Sequence, residues 1–306
     1  METLAIFQEQ RGRLFGLAYR LLGDAAEAED VVQDAYLKWE ARATADVPVR
    51  TASAWLAKAV TNLCLNRLTA ARATREQYVG PWLPTPVRTA DLGPLETVEQ
   101  RETVTLAMLL LLERLTPPER AVFVLRAAFE YRYREIADLL DREEADVRQL
   151  YHRASTHIAQ HRRRFPVDPD RHAEIVGRFF AAAGRGAVGE LAAALADEVT
   201  AWADGGGRIS VARRPIHGRA AVARYFAAFG LNPRAAGIEL VPASVNGVPA
   251  MLAPQDGVVR AALVVELDGE LITGIYSIVN PDKLTHVFNR GADPATEDGA
   301  APRRQR

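Results

Sequence analysis

Two neighbouring stretches of opposite charge carry the residues in this chain whose types and spacing best suit molecular recognition. Residues 24–34 contain five acids and no base, whereas residues 48–75 contain five bases and no acid. Carboxylates on a helix can bind a basic protein surface, and cations without neighbouring acids can neutralise DNA phosphates. We therefore expect two faces with different partners, although two solvated faces of a helical core would carry the same charges.

The elements that position these residues are two amphipathic helices. Apolar residues recur three and four positions apart between Ala28 and Trp39, and again between Trp55 and Leu68. On the second helix this spacing directs four polar side chains outward: Lys58, Asn62, Asn66 and Arg67. Asn can pair with base edges while Lys and Arg contact phosphate, so this face suits nucleic acid. The single cysteine, Cys64, falls on the apolar face, as expected for a buried thiol in a reducing compartment.

A further recognition element is predicted where two short helical patterns flank a turn at residues 141–144. Their apolar spacing is typical of a helix-turn-helix, a motif whose second helix enters the DNA major groove. The outer face of that second helix carries Arg148, Gln149, His152 and Arg153. Arg can bind guanine and Gln adenine through paired hydrogen bonds. An ordinary helical hairpin has the same spacing, and three acids oppose the approach of DNA: Glu143, Glu144 and Asp146.

The remaining part of the chain is predicted to fold differently. Proline and glycine recur in residues 79–98, which excludes a long helix and indicates a connector whose apolar residues dock on a folded surface. Beyond residue 168, two helical patterns precede strand-like runs, among them residues 208–212 and 258–267. Asp268-Gly269 predicts a hairpin turn. Helices followed by a curled antiparallel sheet, with one more helix between the strands, predict an α+β cone.

Composition is compatible with several such units. The chain has 306 residues, 48% of them hydrophobic, and a net charge of -1, which allows two or three domains with real cores and argues against global disorder. No apolar run is long enough for a membrane span and no export signal follows Met1, so we expect a cytoplasmic protein. Residues 291–306 are polar and lack aromatic residues, which predicts a disordered tail.

Taken in order, these pieces resemble a bacterial RNA polymerase sigma factor of the extracytoplasmic-function (ECF) type over about residues 4–165. The segment AEDVVQDAYLKW is similar to the family's polymerase-binding helix, AWLAKAVTNLCLNRL to its promoter-melting helix, and PPERAVFVLRAAFEYRYREIADLL with DVRQLYHRA to its minus-thirty-five reader. The resemblance implies a multidomain protein with two all-α sigma domains: region 2 at residues 1–78, a linker at 79–98 and region 4 at 99–166. It also implies a role in transcription initiation, without enzymatic activity, a cofactor, a metal or catalytic residues.

The resemblance assigns roles to single residues as well. It implies core polymerase, with its β and β′ subunits, as a partner, and it places Asp30, Gln33 and Asp34 on the contact with that core. It implies promoter DNA contacts for a larger set: Arg50, Thr51, Lys58, Asn62, Arg148, Gln149, His152 and Arg153. Arg50 and Thr51 fall in the loop that would hold a flipped base of the unpaired strand. Residues 141–146 are more acidic than the family's usual turn, a departure that bears on the upstream sequence preference.

Residues 168–290 resemble the SnoaL-like domains that one group of these sigma factors carries behind region 4. Three motifs of that group are present, WLPTP in the connector, DGGGR and NPDKL, with Thr85 standing where the family usually has an acid. We hypothesise that the motifs form or flank a regulatory contact between domains. The residues concerned are Trp82, Leu83, Pro84, Asp204, Gly205, Gly206, Gly207, Arg208, Asn280, Pro281, Asp282, Lys283 and Leu284.

A second function stays open on the sequence, that of a small-molecule enzyme or sensor that helical domains tether to DNA. The mouth of a cone can enclose a small-molecule ligand, and Asp204 with His217 would be the candidate acid and base. The three glycines after Asp204 instead favour a tight turn, in which the carboxylate has a structural role. A test for binding to core polymerase distinguishes the two functions, because an enzyme tethered to DNA does not need to bind polymerase.

Overall fold

The first half of the chain is helical. The computed structural model describes residues 2–44, 51–92, 95, 97–160, 167–232 and 237–285. Its helices up to residue 160 are α1 (Glu2–Leu22), α2 (Ala25–Thr44), α3 (Ala52–Glu76), α4 (Val98–Glu102), α5 (Leu106–Leu112), α6 (Pro117–Ala127), α7 (Tyr133–Leu140) and α8 (Glu144–Ala159), with a 3-10 turn at Thr89–Leu92. Over the described residues, we find no helix whose length and apolarity would carry it across a membrane.

A tight reversal at Gly23 and Asp24 brings α2 back onto α1. Gly23 has a φ of +69°, which a side chain would disfavour, and its N–H donates to the Tyr19 carbonyl at 2.7 Å. The Asp24 carboxylate then accepts hydrogen bonds from the backbone N–H groups of Ala26 and Glu27, which caps α2. The two helices consequently run antiparallel, and α3 packs against both.

The apolar faces predicted for α1, α2 and α3 are buried in one core. Its members include Leu17, Leu21, Val31, Leu56, Val60 and Cys64. The prediction that Cys64 is buried is confirmed, and burial raises the pKa of its thiol well above the ordinary value. The neutral thiol therefore behaves as a small apolar side chain.

The helix-turn-helix predicted from the sequence is confirmed as α7, a turn at residues 141–143 and α8. The preceding helix, α6, begins with two prolines, where their missing N–H groups leave no bond unmade. The Glu119 carboxylate accepts hydrogen bonds from both the N–H and the hydroxyl of Thr116, which fixes the start of α6. Asp141 ends α7 in the left-handed conformation, with a φ of +51°.

Two buried arginines join the α1–α3 bundle to the helices that follow it. The Arg20 guanidinium donates to the Thr103 hydroxyl at 2.9 Å and to the Gln100 carbonyl at 3.1 Å. Arg120 of α6 donates to the Arg20 carbonyl and forms an ion pair with Glu113. Burial lowers the pKa of Arg20 to about 10. These satisfied contacts hold α1 against α6, so the two helical units share one interior.

Over its described residues, the C-terminal part combines four helices with a six-stranded sheet. Its elements are α9 (Pro169–Gly184), α10 (Val188–Ala194), β1 (Leu195–Asp204), β2 (Ile216–His217), α11 (Arg219–Gly230), β3 (Val241–Val245), β4 (Val248–Gln255), β5 (Val258–Asp268), β6 (Leu271–Ile278) and the short α12 (Pro281–Leu284). The strand order is β2-β1-β6-β5-β4-β3. The hairpin predicted at Asp268-Gly269 is confirmed, because β5 pairs antiparallel with β6 across it.

Two expectations for this sheet are wrong. The sheet is mixed and not wholly antiparallel, because β1 lies parallel to β6, with Ala201 opposite Ile275. Alternation of side chains records the face that each residue takes but not the direction of the strand. Residues 208–212 form no strand, since Gly206 and Gly207 turn the chain and Ile209 remains 46% exposed. The apolar residues of this alternating segment therefore have no sheet or core surface to pack against.

The two faces of the sheet pack against different partners. Along β5, Leu263, Val265 and Leu267 contact the cluster that α9 and α11 complete. The alternate residues Ala262 and Val264 belong to the core of the N-terminal helices. Successive strand residues point to opposite faces, so one strand serves both cores. The sheet is therefore the layer that joins the C-terminal domain to the helical units.

Candidate functional site

The acidic face of α2 is exposed along its outer side. Asp30 and Gln33 are exposed, and the side chain of Asp34 is 46% exposed. The Arg67 guanidinium of α3 lies 2.9 Å from the Asp34 carboxylate and 3.7 Å from that of Asp30. It also donates to the Glu27 carbonyl at 3.2 Å. Arg67 therefore aligns α3 with α2 while leaving the two carboxylates open to a larger partner.

The candidate DNA-binding residues of α3 and of the segment just before it differ in their surroundings. Thr51 and Asn62 are exposed, and Arg50 lies outside the described residues. The Lys58 ammonium instead donates to the Asp141 carboxylate at 2.6 Å and to the Asp138 carbonyl at 2.9 Å. Both oxygens belong to the end of α7 in the helix-turn-helix. Lys58 is therefore one point of contact between the two candidate DNA-binding elements.

The outer face of α8 presents the predicted polar residues to solvent: Arg148, Gln149, His152 and Arg153. The Arg148 guanidinium lies 4.6 Å from the centre of the Tyr133 ring and donates to Glu144 at 2.5 Å. Arg153 donates to Glu119 at 3.0 Å. Both side chains remain largely exposed, at 60% for Arg148 and 57% for Arg153, so solvent screens these ion pairs.

The three motifs noted in the sequence meet at a buried ion pair. The Asp204 carboxylate accepts hydrogen bonds from the Tyr78 hydroxyl at 2.6 Å, the Leu83 N–H at 3.0 Å and the Lys283 ammonium at 2.7 Å. Lys283 also donates to the Leu83 carbonyl at 2.5 Å. Asp204 is fully buried and Lys283 is 6% exposed. We call Tyr78, Trp82, Leu83, Asp204 and Lys283 the connector cluster.

Aromatic rings complete the connector cluster. The Trp82 ring lies between two cations, with the Arg75 guanidinium 3.8 Å and the Lys283 ammonium 4.4 Å from its centre. Burial raises the pKa of the Tyr78 hydroxyl, and its hydrogen bond to Asp204 acts in the same direction. Burial lowers the pKa of Lys283, and the Asp204 carboxylate opposes that shift. The cluster thus ties the connector to the C-terminal domain through charge, hydrogen bonds and ring contacts.

The glycines that follow Asp204 shape the turn beside the connector cluster. A Cβ on Gly206 would lie 2.4 Å from the Asn280 side chain, which itself donates to the Tyr78 hydroxyl at 2.9 Å. Gly205 and Gly207 also lie in this turn, and a Cβ on Gly205 would clash with backbone. The turn can therefore approach the last motif closely only because these positions lack side chains.

The remaining motif residues differ in exposure. Pro84 and Leu284 are buried, whereas Pro281 is exposed at the start of α12. Arg208 and Asp282 form an exposed ion pair, with their side-chain atoms 3.1 Å apart. Because solvent screens an exposed ion pair, this pair adds little to the stability that the buried residues give to the contact between the connector and the C-terminal domain.

A second interdomain contact, which the motifs do not include, centres on Asn246. Its amide nitrogen donates to the Tyr19 hydroxyl at 2.6 Å and to the Val104 carbonyl at 2.8 Å. Its amide oxygen accepts from the Val87 N–H at 3.0 Å, and its own N–H donates to the Val87 carbonyl. Asn246 is fully buried in the turn between β3 and β4, with a φ of +53°. The Asn-Gly dipeptide indicates such a turn from sequence alone, but not the surface on which the turn docks.

The structure does not bring the candidate acid and base of the cone together. Asp204 is engaged in the connector cluster, whereas the ring of the exposed His217 lies 3.1 Å from the hydroxyl of Thr200 on β1. Between the helices and the sheet, three rings fill the interior with edge-to-face contacts: Phe179, Phe180 and Phe226. Among the residues that the structure covers, no group of His, Cys, Asp and Glu could hold a metal ion. The geometry therefore favours the structural role of Asp204.

Comparison with known proteins supports the interpretation of the helical half. The chain matches the family described as Sigma-70 region 2 over residues 6–74 and the family described as Sigma-70, region 4 over residues 105–158. It is 34% identical over 291 residues to the ECF RNA polymerase sigma factor SigJ of Mycobacterium tuberculosis, which covers 91% of this chain and 92% of that protein. It is 29% identical to the probable ECF RNA polymerase sigma factor SigI of the same species, over 92% of this chain and 94% of that protein.

The likeness extends to the C-terminal domain. The crystal structure of Mycobacterium tuberculosis SigJ superposes with a TM-score of 0.73 at 32% sequence identity, and the match covers 93% of this chain and 99% of SigJ. That coverage includes the α+β domain behind the helix-turn-helix, so the fused arrangement expected from the sequence is confirmed. The chain therefore belongs to the extracytoplasmic-function family of RNA polymerase sigma factors.

Proposed function

We propose that this sigma factor directs RNA polymerase to specific promoters by dividing recognition among three helices. In this proposal α2 binds core polymerase through Asp30, Gln33 and Asp34. The observation that carries it is the open acidic face of α2 beside α3, which carries no acid before its last residue, since opposite charges on adjacent helices suit a protein partner and DNA at the same time.

The promoter-binding roles are assigned to α3 and α8. Thr51, Lys58 and Asn62, with Arg50 before them in the chain, would bind the melted minus-ten strand, where cations meet phosphate and Asn meets a base edge. On α8, the exposed Arg148, Gln149, His152 and Arg153 would read the minus-thirty-five duplex. The exposure of Arg148 and Arg153 supports this role, because their surface ion pairs with Glu144 and Glu119 are weak and DNA oxygens can replace those carboxylates.

Charge reversal on α2 tests the polymerase contact. Asp30→Arg combined with Asp34→Arg is expected to weaken binding to purified core polymerase at least about tenfold, because two attractive charges become repulsive. The fold should persist, since exposed ion pairs contribute only about 0–1 kcal/mol each. The matched control is Asp170→Arg with Glu174→Arg, which reverses two exposed acids at the same spacing on α9. Equal affinities for both variants would refute the proposal.

We further propose that the C-terminal domain regulates the sigma factor by holding its two promoter-reading units in a closed arrangement. Binding of promoter elements at both α3 and α8 requires these units to separate, because Lys58 on α3 contacts the end of α7. The connector cluster and Asn246 oppose that separation, since they bond the C-terminal domain to the connector, to α1 and to the carbonyl of Val104. A shared apolar core adds to this restraint.

Asn246→Gly tests the regulatory role because glycine accepts the positive φ while removing the side-chain bonds. In run-off transcription with core polymerase, the variant is expected to be about fivefold or more active, since buried hydrogen bonds of about 1 kcal/mol each no longer favour the closed form. General unfolding would lower activity, so a gain cannot arise from it. Asp256→Gly, at an exposed turn residue with the same φ of +53°, is the matched control. A variant no more active than this control would exclude a restraining role for Asn246.

A further inference from the structure

The turn of the helix-turn-helix and the start of α8 carry acids that promoter binding does not explain. Asp141, Glu143, Glu144 and Asp146 fall within six residues, beside a helix that is proposed to approach DNA. Two of them have partners four residues away in the chain, since Arg142 pairs with Asp146 and Arg148 with Glu144. The side chain of Asp141 is 76% exposed, and its carboxylate binds a residue 83 positions away.

That distant residue is Lys58, whose ammonium meets two oxygens at the end of α7. The Asp141 carboxylate lies 2.6 Å away and the Asp138 carbonyl 2.9 Å away. The last carbonyls of a helix carry partial negative charge, so this site adds the end of a helix dipole to a full carboxylate charge. Anionic oxygens within hydrogen-bond distance of a lysine are also what a DNA phosphate presents.

We infer that Asp141 and the carboxyl-terminal end of α7 substitute for a DNA phosphate at Lys58 in the protein without bound DNA. The inference rests on the proposed role of Lys58 in promoter binding. One ammonium cannot serve both partners in the same geometry, so promoter DNA must displace the turn before Lys58 can bind it. The acidic turn thereby competes with DNA for Lys58. It keeps α3, the helix proposed to bind the minus-ten strand, in contact with the helix-turn-helix proposed to bind the minus-thirty-five duplex.

The exposure of the pair indicates a weak and reversible competitor. The side chains of Lys58 and Asp141 are 35% and 76% exposed, so solvent screens their attraction. Pairs of this kind shift an equilibrium by about two- to fivefold. A contact of that strength reduces binding to random DNA without preventing displacement by a promoter that also engages α8 and polymerase. The competitor is distinct from the connector cluster, because it joins region 2 directly to region 4.

The first test is made on the full chain without DNA or polymerase. Asp141→Asn removes the charge while keeping a residue that tolerates the left-handed conformation at φ +51°. The rate at which an amine-reactive reagent labels Lys58, followed by peptide mass spectrometry, should rise about two- to fivefold. The exposed Lys38 serves as the internal reference. An unchanged Lys58 rate in Asp141→Asn would overturn the inference, whatever the protein does in transcription.

The second test separates competition from simple repulsion of DNA by the acidic turn. Asp146→Asn removes one negative charge from the start of α8, five residues further along the chain, and with it the ion pair to Arg142, but leaves the Lys58 contact intact. In run-off transcription with core polymerase, Asp141→Asn should gain about two- to fivefold over Asp146→Asn. Equal gains would show that the acids only repel DNA and would refute the inference. If neither variant nor the parent chain directs initiation, the proposed function fails, and the Lys58 labelling rates alone decide whether the contact forms.

Discussion

Removal of the Lys283 ammonium tests the energetic weight of the connector cluster. Lys283→Met keeps most of the apolar stem that packs beside Trp82 but leaves the Asp204 carboxylate without its cation. Asp204 is fully buried, so water cannot compensate for the lost charge. Its remaining donors are the Tyr78 hydroxyl and the backbone N–H groups of Leu83 and Gly206.

The expected loss follows from the burial of this pair. Breaking a buried ion pair by removing one partner costs about 3–5 kcal/mol of the free energy of unfolding. The three remaining hydrogen bonds to Asp204 place the expected loss near the lower end, at about 3 kcal/mol. The Leu83 carbonyl also loses a donor, which acts in the same direction.

Urea unfolding followed by tryptophan fluorescence measures this loss. The chain has four tryptophans, so the total emission follows unfolding of the whole fold, and Trp82 beside Lys283 contributes to it. Lys38→Met, at an exposed lysine of α2, is the matched control and should stay within about 0.5 kcal/mol of the parent chain. In the double variant Asp204→Asn with Lys283→Met no unpaired charge is buried, so its loss should not exceed that of Lys283→Met.

Two results would contradict the reasoning. A loss below about 1 kcal/mol in Lys283→Met would mean that the carboxylate needs no cation at this position. Additive losses in the double variant would mean that Asp204 and Lys283 stabilise the fold independently. In either case the connector would be held by the apolar packing of Leu83 and Val87 and not by the ion pair.

Two further predictions concern the C-terminal domain. Gly206→Ala should lower the free energy of unfolding at least twice as much as Gly269→Ala. Both glycines have a φ of +58°, but only a Cβ on Gly206 would lie 2.4 Å from the Asn280 side chain. Equal losses in urea unfolding would exclude this clash. Burial lowers the pKa of His172 below its ordinary value of 6.5, so the unfolded chain binds a proton more readily. Stability should therefore fall as the pH drops below about 6.5, and His172→Gln should flatten that decline; an unchanged pH profile in thermal unfolding would refute it.

Local patterns in the sequence account for most of the elements. The helical spacing of α2 and α3, the proline start of α6 and the Asp-Gly turn between β5 and β6 depend on residues within about four positions of each other. The polar faces of α2 and α8 follow from the same spacing, and their side chains are exposed as that spacing requires. Their assignment to polymerase and promoter DNA remains a prediction.

The sequence-based predictions were wrong where the tertiary environment of a segment differs from what its local pattern indicates. Residues 208–212 alternate like a strand, yet the turn at Gly206 and Gly207 carries them away from any sheet face. The parallel pairing of β1 with β6 joins strands far apart in the chain, which alternation does not encode. Asn246 reads as an ordinary hairpin turn, and its role becomes visible only when Tyr19 and Val104 are seen around it.

Local spacing was enough to predict amphipathic helices at α2, α3 and α8 with their polar faces, and the motifs were enough to predict an ECF sigma factor. The tertiary structure decided which partners those charges take: Lys283 for Asp204, 79 residues apart, and Asp141 for Lys58, 83 residues apart. The physical reason is that a helix is set by contacts within one or two turns, whereas a buried or shared charge takes the partner that packing of distant segments brings within about 3 Å.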